Sequence, residues 1–105
     1  MSQRRVVVTG MGIVSPVGST IASAWDAICN GRSGIRTMTS FDVQHMKTRI
    51  GGEVIDFDVA DYLTLRESKR MDNFVHYGFA AAVDALEDAG LLDENSSYDP
   101  ERIRC

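Results

Sequence analysis

Hydrophobic positions along this chain change period several times, and each change marks an element. The run Arg5 to Thr9 is short, β-branched and closed by Gly10, the pattern of a strand buried on both faces rather than one alternating between core and solvent. It predicts the first strand of a parallel layer. After a turn from Gly10 to Gly18, Ser19 or Thr20 can cap a helix whose apolar residues Ile21, Ala24, Trp25 and Ile28 fall at i, i+3, i+4 and i+7. Gly31 stands where that helix should stop.

From Arg32 to Phe57 the pattern loosens. Thr48 to Ile55 reads as extended, but Gly51-Gly52 weakens it as a strand, so the region is expected to be an irregular excursion from the main layer. Asp58 can cap a short turn through Leu63. Thr64-Leu65-Arg66-Glu67 has the spacing of a capping box and starts the next helix, which is predicted to break near Met71-Asp72, with Asp72 capping its successor.

Between Asn73 and Ala89 the residues Phe74, Tyr77, Ala81, Ala85 and Leu86 mark one apolar face, while Gly78, Ala80, Ala81 and Ala82 keep the surroundings slim. Small residues let a helix approach a neighbour closely, so this one is predicted to be central. Gly90 ends it. Asp93 to Pro100 is a polar turn, and Arg102-Ile103-Arg104-Cys105 reads as the entry to a second strand, which implies further chain beyond it.

Totals narrow the class. A chain of 105 residues has single-domain size, yet a chain this short buries only roughly two-thirds of its unfolded surface, so any core it forms alone is thin. With 44% hydrophobic and 25% charged residues, disorder is not indicated. A net charge of -4 argues against nucleic acid as a partner. Cys29 and Cys105 are too few and too far apart for a disulfide framework or a metal cluster, which points to a reducing cytoplasm. Positive charges precede Val6-Val7-Val8 as in an export signal, but Thr9, Gly10, Gly12, Ser15 and Pro16 break the apolar run. Nothing reaches membrane-spanning length.

Candidate chemistry is sparse. Gly10-Met11-Gly12 after a strand resembles the start of a dinucleotide fingerprint, but the third glycine is absent and no acid follows a second strand at the required distance. Glycines serving a tight turn under the sheet are the simpler reading. Cys29, beside Ile28, is expected to be a small buried filler. Neither cysteine has the surroundings of a nucleophile. His45 falls in the irregular region and His76 is assigned to a polar helix face, neither with a defensible partner. The carboxylates from Asp84 to Glu101 read as a solvated face and a turn. Against this acidic background Arg66, Lys69 and Arg70 occupy i, i+3 and i+4 and would point together on a helix. One reading is a solvated surface with Glu67 as counter-charge; the other is steering of an acidic partner, an effect that fades with salt.

The stretch Arg5-Val6-Val7-Val8-Thr9-Gly10-Met11-Gly12-Ile13-Val14-Ser15-Pro16-Val17-Gly18 resembles the opening strand and turn of the β-ketoacyl-[acyl-carrier-protein] synthases. Trp25, Gly31-Arg32-Ser33-Gly34-Ile35, Phe41-Asp42, Lys69-Arg70-Met71-Asp72-Asn73-Phe74, Tyr77-Gly78 and Ala89-Gly90-Leu91 continue the likeness in order, and the Ser-Pro-Val-Gly turn and Lys-Arg-Met-Asp segment are closer to the type II enzymes. The resemblance implies an α/β, thiolase-like layered fold, of which residues 1–105 are the N-terminal part. It implies a cytoplasmic homodimer in fatty-acid synthesis, working without a cofactor. Such an enzyme takes an acyl chain from acyl carrier protein onto a cysteine, then decarboxylates malonyl carrier protein so that the carbanion attacks the thioester.

That chemistry needs a thiolate, two imidazoles and oxyanion-holding N–H groups. The family carries its nucleophile in a Thr-Ala-Cys context and its histidines in later motifs, so Cys29, Cys105, His45 and His76 match none of them and no catalytic residue is carried over. The basic residues that precede the family's Met-Asp pair contact the acidic carrier protein, and they correspond to Arg66, Lys69 and Arg70. Two expectations of different class follow: part of a condensing enzyme, or a non-catalytic module that binds a carrier protein or subunit. A chain-length factor, which keeps this opening and lacks the nucleophile, belongs with the second. The 105 residues alone are expected to be inactive and to expose a sheet edge and apolar helix faces.

Overall fold

The computed structural model describes residues 3–93 and 99–103. Three helices form where local signals place them. Helix α1 (Ile21–Cys29) starts at Thr20, whose hydroxyl accepts from the Ser23 N–H at 3.1 Å while the Ser23 hydroxyl accepts from the Thr20 N–H at 3.2 Å. This reciprocal pair satisfies two donors that a helix start leaves unbonded. Helix α2 (Leu65–Ser68) is a single turn, and α3 (Asn73–Asp88) begins at Asp72, whose side chain makes no capping bond. A 3-10 turn at Val59–Asp61 is capped by Asp58, which accepts from the Ala60 N–H at 2.9 Å.

Helices α1 and α3 end the same way. Gly31 (φ +66°) and Gly90 (φ +74°) adopt the left-handed conformation just past their helices. Their neighbours Arg32 and Leu91 donate back to Ala27 and Leu86 at 2.8 Å and 2.9 Å, closing the orphaned carbonyls.

The region expected to be irregular contains a small antiparallel pair, β1 (Ile35–Thr37) with β2 (Ile50–Gly52), in the register Ile35 to Gly52. Its glycines have a specific use. A Cβ at Gly34 would lie 2.8 Å from the Pro16 Cβ, and one at Gly52 would lie 2.9 Å from the Pro16 Cγ, so both bare positions seat the proline ring. Arg36 Nη2 donates to the Pro16 carbonyl at 3.3 Å. The turn carrying Pro16 is closed by Ser15 and Gly18, which exchange backbone bonds of 3.0 Å and 3.2 Å.

Residues 3–14 take no regular secondary structure and pair with no strand among the described residues, so the first strand expected at Arg5 to Thr9 is not formed as a ladder. Its expected burial is absent too: Val6 is 96% exposed and Val8 79%. A β-branched run supplies the propensity, but a strand also needs neighbours for its N–H and C=O groups. The segment is held instead by α3. A Cβ on Gly12 would lie 2.1 Å from the Ala81 oxygen, and one on Gly10 would lie 2.3 Å from the Ala85 oxygen. The two alternate glycines thus meet Ala81 and Ala85 of α3 and its C-cap Ala89. The Met11 N–H donates to Asp88 Oδ2 at 3.0 Å, fixing the register.

Several expectations are corrected. Gly78 and Ala82 lie on the open side of α3, and a Cβ at Gly78 would meet nothing within 4 Å. Phe74, assigned to the apolar face, is exposed, whereas His76, assigned to the polar face, is buried. Cys29 is exposed rather than a core filler, because Ala24 and Ala27 are the residues of α1 that turn inward. Pro100–Arg102 form a 3-10 turn capped by Asp99, which displaces the strand expected to start at Arg102; Arg104, Cys105 and most of the polar turn lie outside the described residues.

The core is thin. Among apolar side chains only Ala24, Ala27, Val43 and Ala80 are buried among the described residues. The accessible surface is 8915 Å², against roughly 5,800 Å² for a compact monomer of this mass. A radius of gyration of 17.6 Å exceeds the roughly 13 Å of a compact domain this long. Of the predicted stripe of α1, Ala24 is buried, whereas Ile21, Trp25 and Ile28 remain exposed.

Candidate functional site

The cationic segment begins with a cap. Thr64 Oγ1 accepts from the Glu67 N–H at 3.3 Å, and Glu67 Oε2 accepts from the Thr64 N–H at 3.0 Å and from its hydroxyl at 2.8 Å. These bonds, the backbone N–H first and the hydroxyl second, hold the Glu67 carboxyl below the usual carboxylate range.

Arg66 lies in α2, Lys69 is the C-cap residue and Arg70 follows in the turn. Regular helix ends at Ser68; the Lys69 N–H still donates four residues back to Leu65 at 3.2 Å, and the chain tightens at Arg70, whose N–H donates three back to Glu67 at 3.1 Å. All three cations are exposed. None forms an ion pair among the described residues, where Arg32 with Asp26 is the pair found. Glu67 bonds to Thr64 and makes no ion pair with them.

Behind this arc, His76 is buried on α3 and its Nε2 lies 2.9 Å from the Ser68 carbonyl. No partner for it could be read from its neighbours, because the bond crosses the break between two helices. A second unforeseen group ties the adjoining turn to α3. Phe57 stacks on Tyr62 with ring centroids 5.8 Å apart and meets Tyr77 edge-on at 5.2 Å. Burial first, and the Asp84 carboxylate second, push the Tyr62 phenol up to about 12.

The other candidates do not assemble. The bare faces of Gly10 and Gly12 are filled by α3 backbone, and the next helix starts only at Ile21, so the phosphate geometry of a dinucleotide turn is not reproduced. No three His, Cys, Asp or Glu residues among those described converge as metal ligands. A cleft of about 250 Å³ between the Pro16 turn, α1 and the hairpin contains Arg32 and Arg36, but these cations are spent on Asp26 and the Pro16 carbonyl. No described helix is long and apolar enough to cross a membrane.

Comparison with known proteins gives this arrangement a context. Residues 3–103 match the profile of the family described as beta-ketoacyl synthase, N-terminal domain. The chain is similar to 3-oxoacyl-[acyl-carrier-protein] synthase 2 of Vibrio harveyi, 48% identical over 92% of this chain and 24% of that protein. Its counterpart from Vibrio cholerae serotype O1 is 50% identical over 87% of this chain and 22% of that protein. Among solved structures, the ishigamide ketosynthase/chain length factor superposes with a TM-score of 0.73 at 34% identity, covering 86% of this chain and 22% of that one. The chain thus spans about a quarter of the length of the curated relatives it matches.

Proposed function

The chain belongs to the beta-ketoacyl synthase family through its N-terminal domain, and on that premise we propose that it is part of a 3-oxoacyl-[acyl-carrier-protein] synthase of type II. The complete enzyme elongates acyl chains in fatty-acid biosynthesis by decarboxylative Claisen condensation of acyl and malonyl carrier-protein thioesters. It works as a cytoplasmic homodimer. The nucleophile, the imidazoles and the oxyanion donors belong to polypeptide outside these residues, because none of Cys29, His45 or His76 sits in a catalytic constellation.

The contribution of this part is scaffold and carrier docking. One observation carries the docking reading: Arg66, Lys69 and Arg70 stand exposed without an acidic partner among the described residues, the nearest carboxylate in sequence being bound to Thr64. Unpaired surface cations on a chain of net charge -4 favour encounter with an acidic protein. Charge reversal at Lys69 and Arg70 in the complete enzyme should weaken acyl-carrier-protein binding more at low salt than at high. Unchanged affinity at both would remove the proposal.

The structural likeness to a ketosynthase/chain length factor supports a second reading, a subunit without a nucleophile of its own. A Thr-Ala-Cys segment in the complete polypeptide decides for the synthase, and its absence decides for the factor.

A further inference from the structure

We propose that His76 is the positioning residue of the cationic arc, an inference that rests on carrier docking at Arg66, Lys69 and Arg70. His76 is only 8% exposed, and its Nε2 is 2.9 Å from the Ser68 carbonyl oxygen. A carbonyl can only accept, so this nitrogen carries the hydrogen. Ser68 closes α2, where carbonyls lack intrahelical partners. The same oxygen accepts from the Met71 N–H at 3.3 Å. Lys69 and Arg70 are the two residues between these points, so both ends of their short arc converge on one oxygen held by the imidazole.

Helix α2 has four residues and cannot hold the arc alone, since a single turn does not offset its own nucleation cost. The bond from His76 spans eight positions and anchors that turn to α3, which has sixteen residues. Lys69 and Arg70 therefore leave from a backbone already ordered before a partner arrives. Ordering it at the moment of binding would be subtracted from affinity.

The test uses the complete enzyme with acyl carrier protein and with an acyl-pantetheine that lacks the protein. His76→Ala should raise the KM for the carrier about fivefold, the worth of one ordinary hydrogen bond, with kcat and the acyl-pantetheine KM unchanged. His76→Gln, whose amide can donate to the same carbonyl, should recover most of the loss. If His76→Ala does not fold, His76→Phe, which keeps ring volume without a donor, replaces it in the same comparison. An unchanged carrier KM in the His76 variant, alongside a raised one in Lys69→Glu/Arg70→Glu, overturns the role of His76 and leaves docking standing. An unchanged carrier KM in both overturns the docking reading and this inference together. Equal losses on both substrates, or no recovery with Gln, show a general structural role and also overturn it.

Discussion

The Tyr62 hydroxyl reaches both carboxylate oxygens of Asp84, at 3.0 Å and 2.9 Å, across 22 positions of sequence. One phenol thereby joins the turn before α2 to the middle of α3. Burial first, and the carboxylate that a phenolate would face second, keep the group neutral up to about 12.

The raised value sets the sign of an alkaline prediction. A phenol that holds its proton more tightly when folded contributes stability that is complete below its ordinary value near 10 and is lost as pH rises through about 12. Ultraviolet titration of tyrosinate should show a late phenol step, and Tyr62→Phe should abolish it. A titration curve identical in the variant would refute the assignment.

Packing of the N-terminal segment on α3 gives a pair of substitutions with opposite signs. Gly12→Ala places a Cβ 2.1 Å from the Ala81 oxygen, an overlap with backbone that should destabilise the complete protein by about 1–3 kcal/mol. Gly78→Ala meets open space in mid-helix and in the 105-residue chain should stabilise by about 0.5–1 kcal/mol through helix propensity. Urea unfolding of the two variants measures both, and equal signs would contradict the described contact.

Acid should loosen α2 at its start. The Glu67 carboxyl lies below its ordinary 4.5 because Thr64 donates to it, so the cap is complete above that value and is lost as pH falls through the lowered one. Protection of the Thr64 amide, its exchange rate taken relative to the intrinsic rate at each pH, should fall across that window in the wild type. In Glu67→Gln the step should vanish, and persistence of the step there would assign it to another group.

The 105-residue chain on its own should bind a hydrophobic dye or self-associate. Trp25 at 65% exposed and Phe74 at 74% are large apolar surfaces without cover. A monomer with a sharp cooperative melt and no dye binding would count against this.

Much of the local structure was legible because it depends on neighbours. Thr64 with Glu67, Gly31, Gly90 and the break at Met71-Asp72 each follow from a few adjacent residues. The cations of the candidate site could be read off for the same reason. What holds them could not: His76 meets Ser68 across a helix break, and Tyr62 meets Asp84 two elements away. Arg5 to Thr9 shows the opposite failure, where local propensity named a strand whose ladder requires chain from elsewhere.

The contact of Gly10 and Gly12 with Ala81 and Ala85 is made by backbone, not by interlocking side chains. Size is consequently restricted on both sides of that seam, while Val6, Val7 and Val8 just upstream carry no such ceiling in their present surroundings. In the 105-residue chain, tolerance of bulk should therefore divide along the segment, accepted at the valines and refused at the two glycines a few positions later.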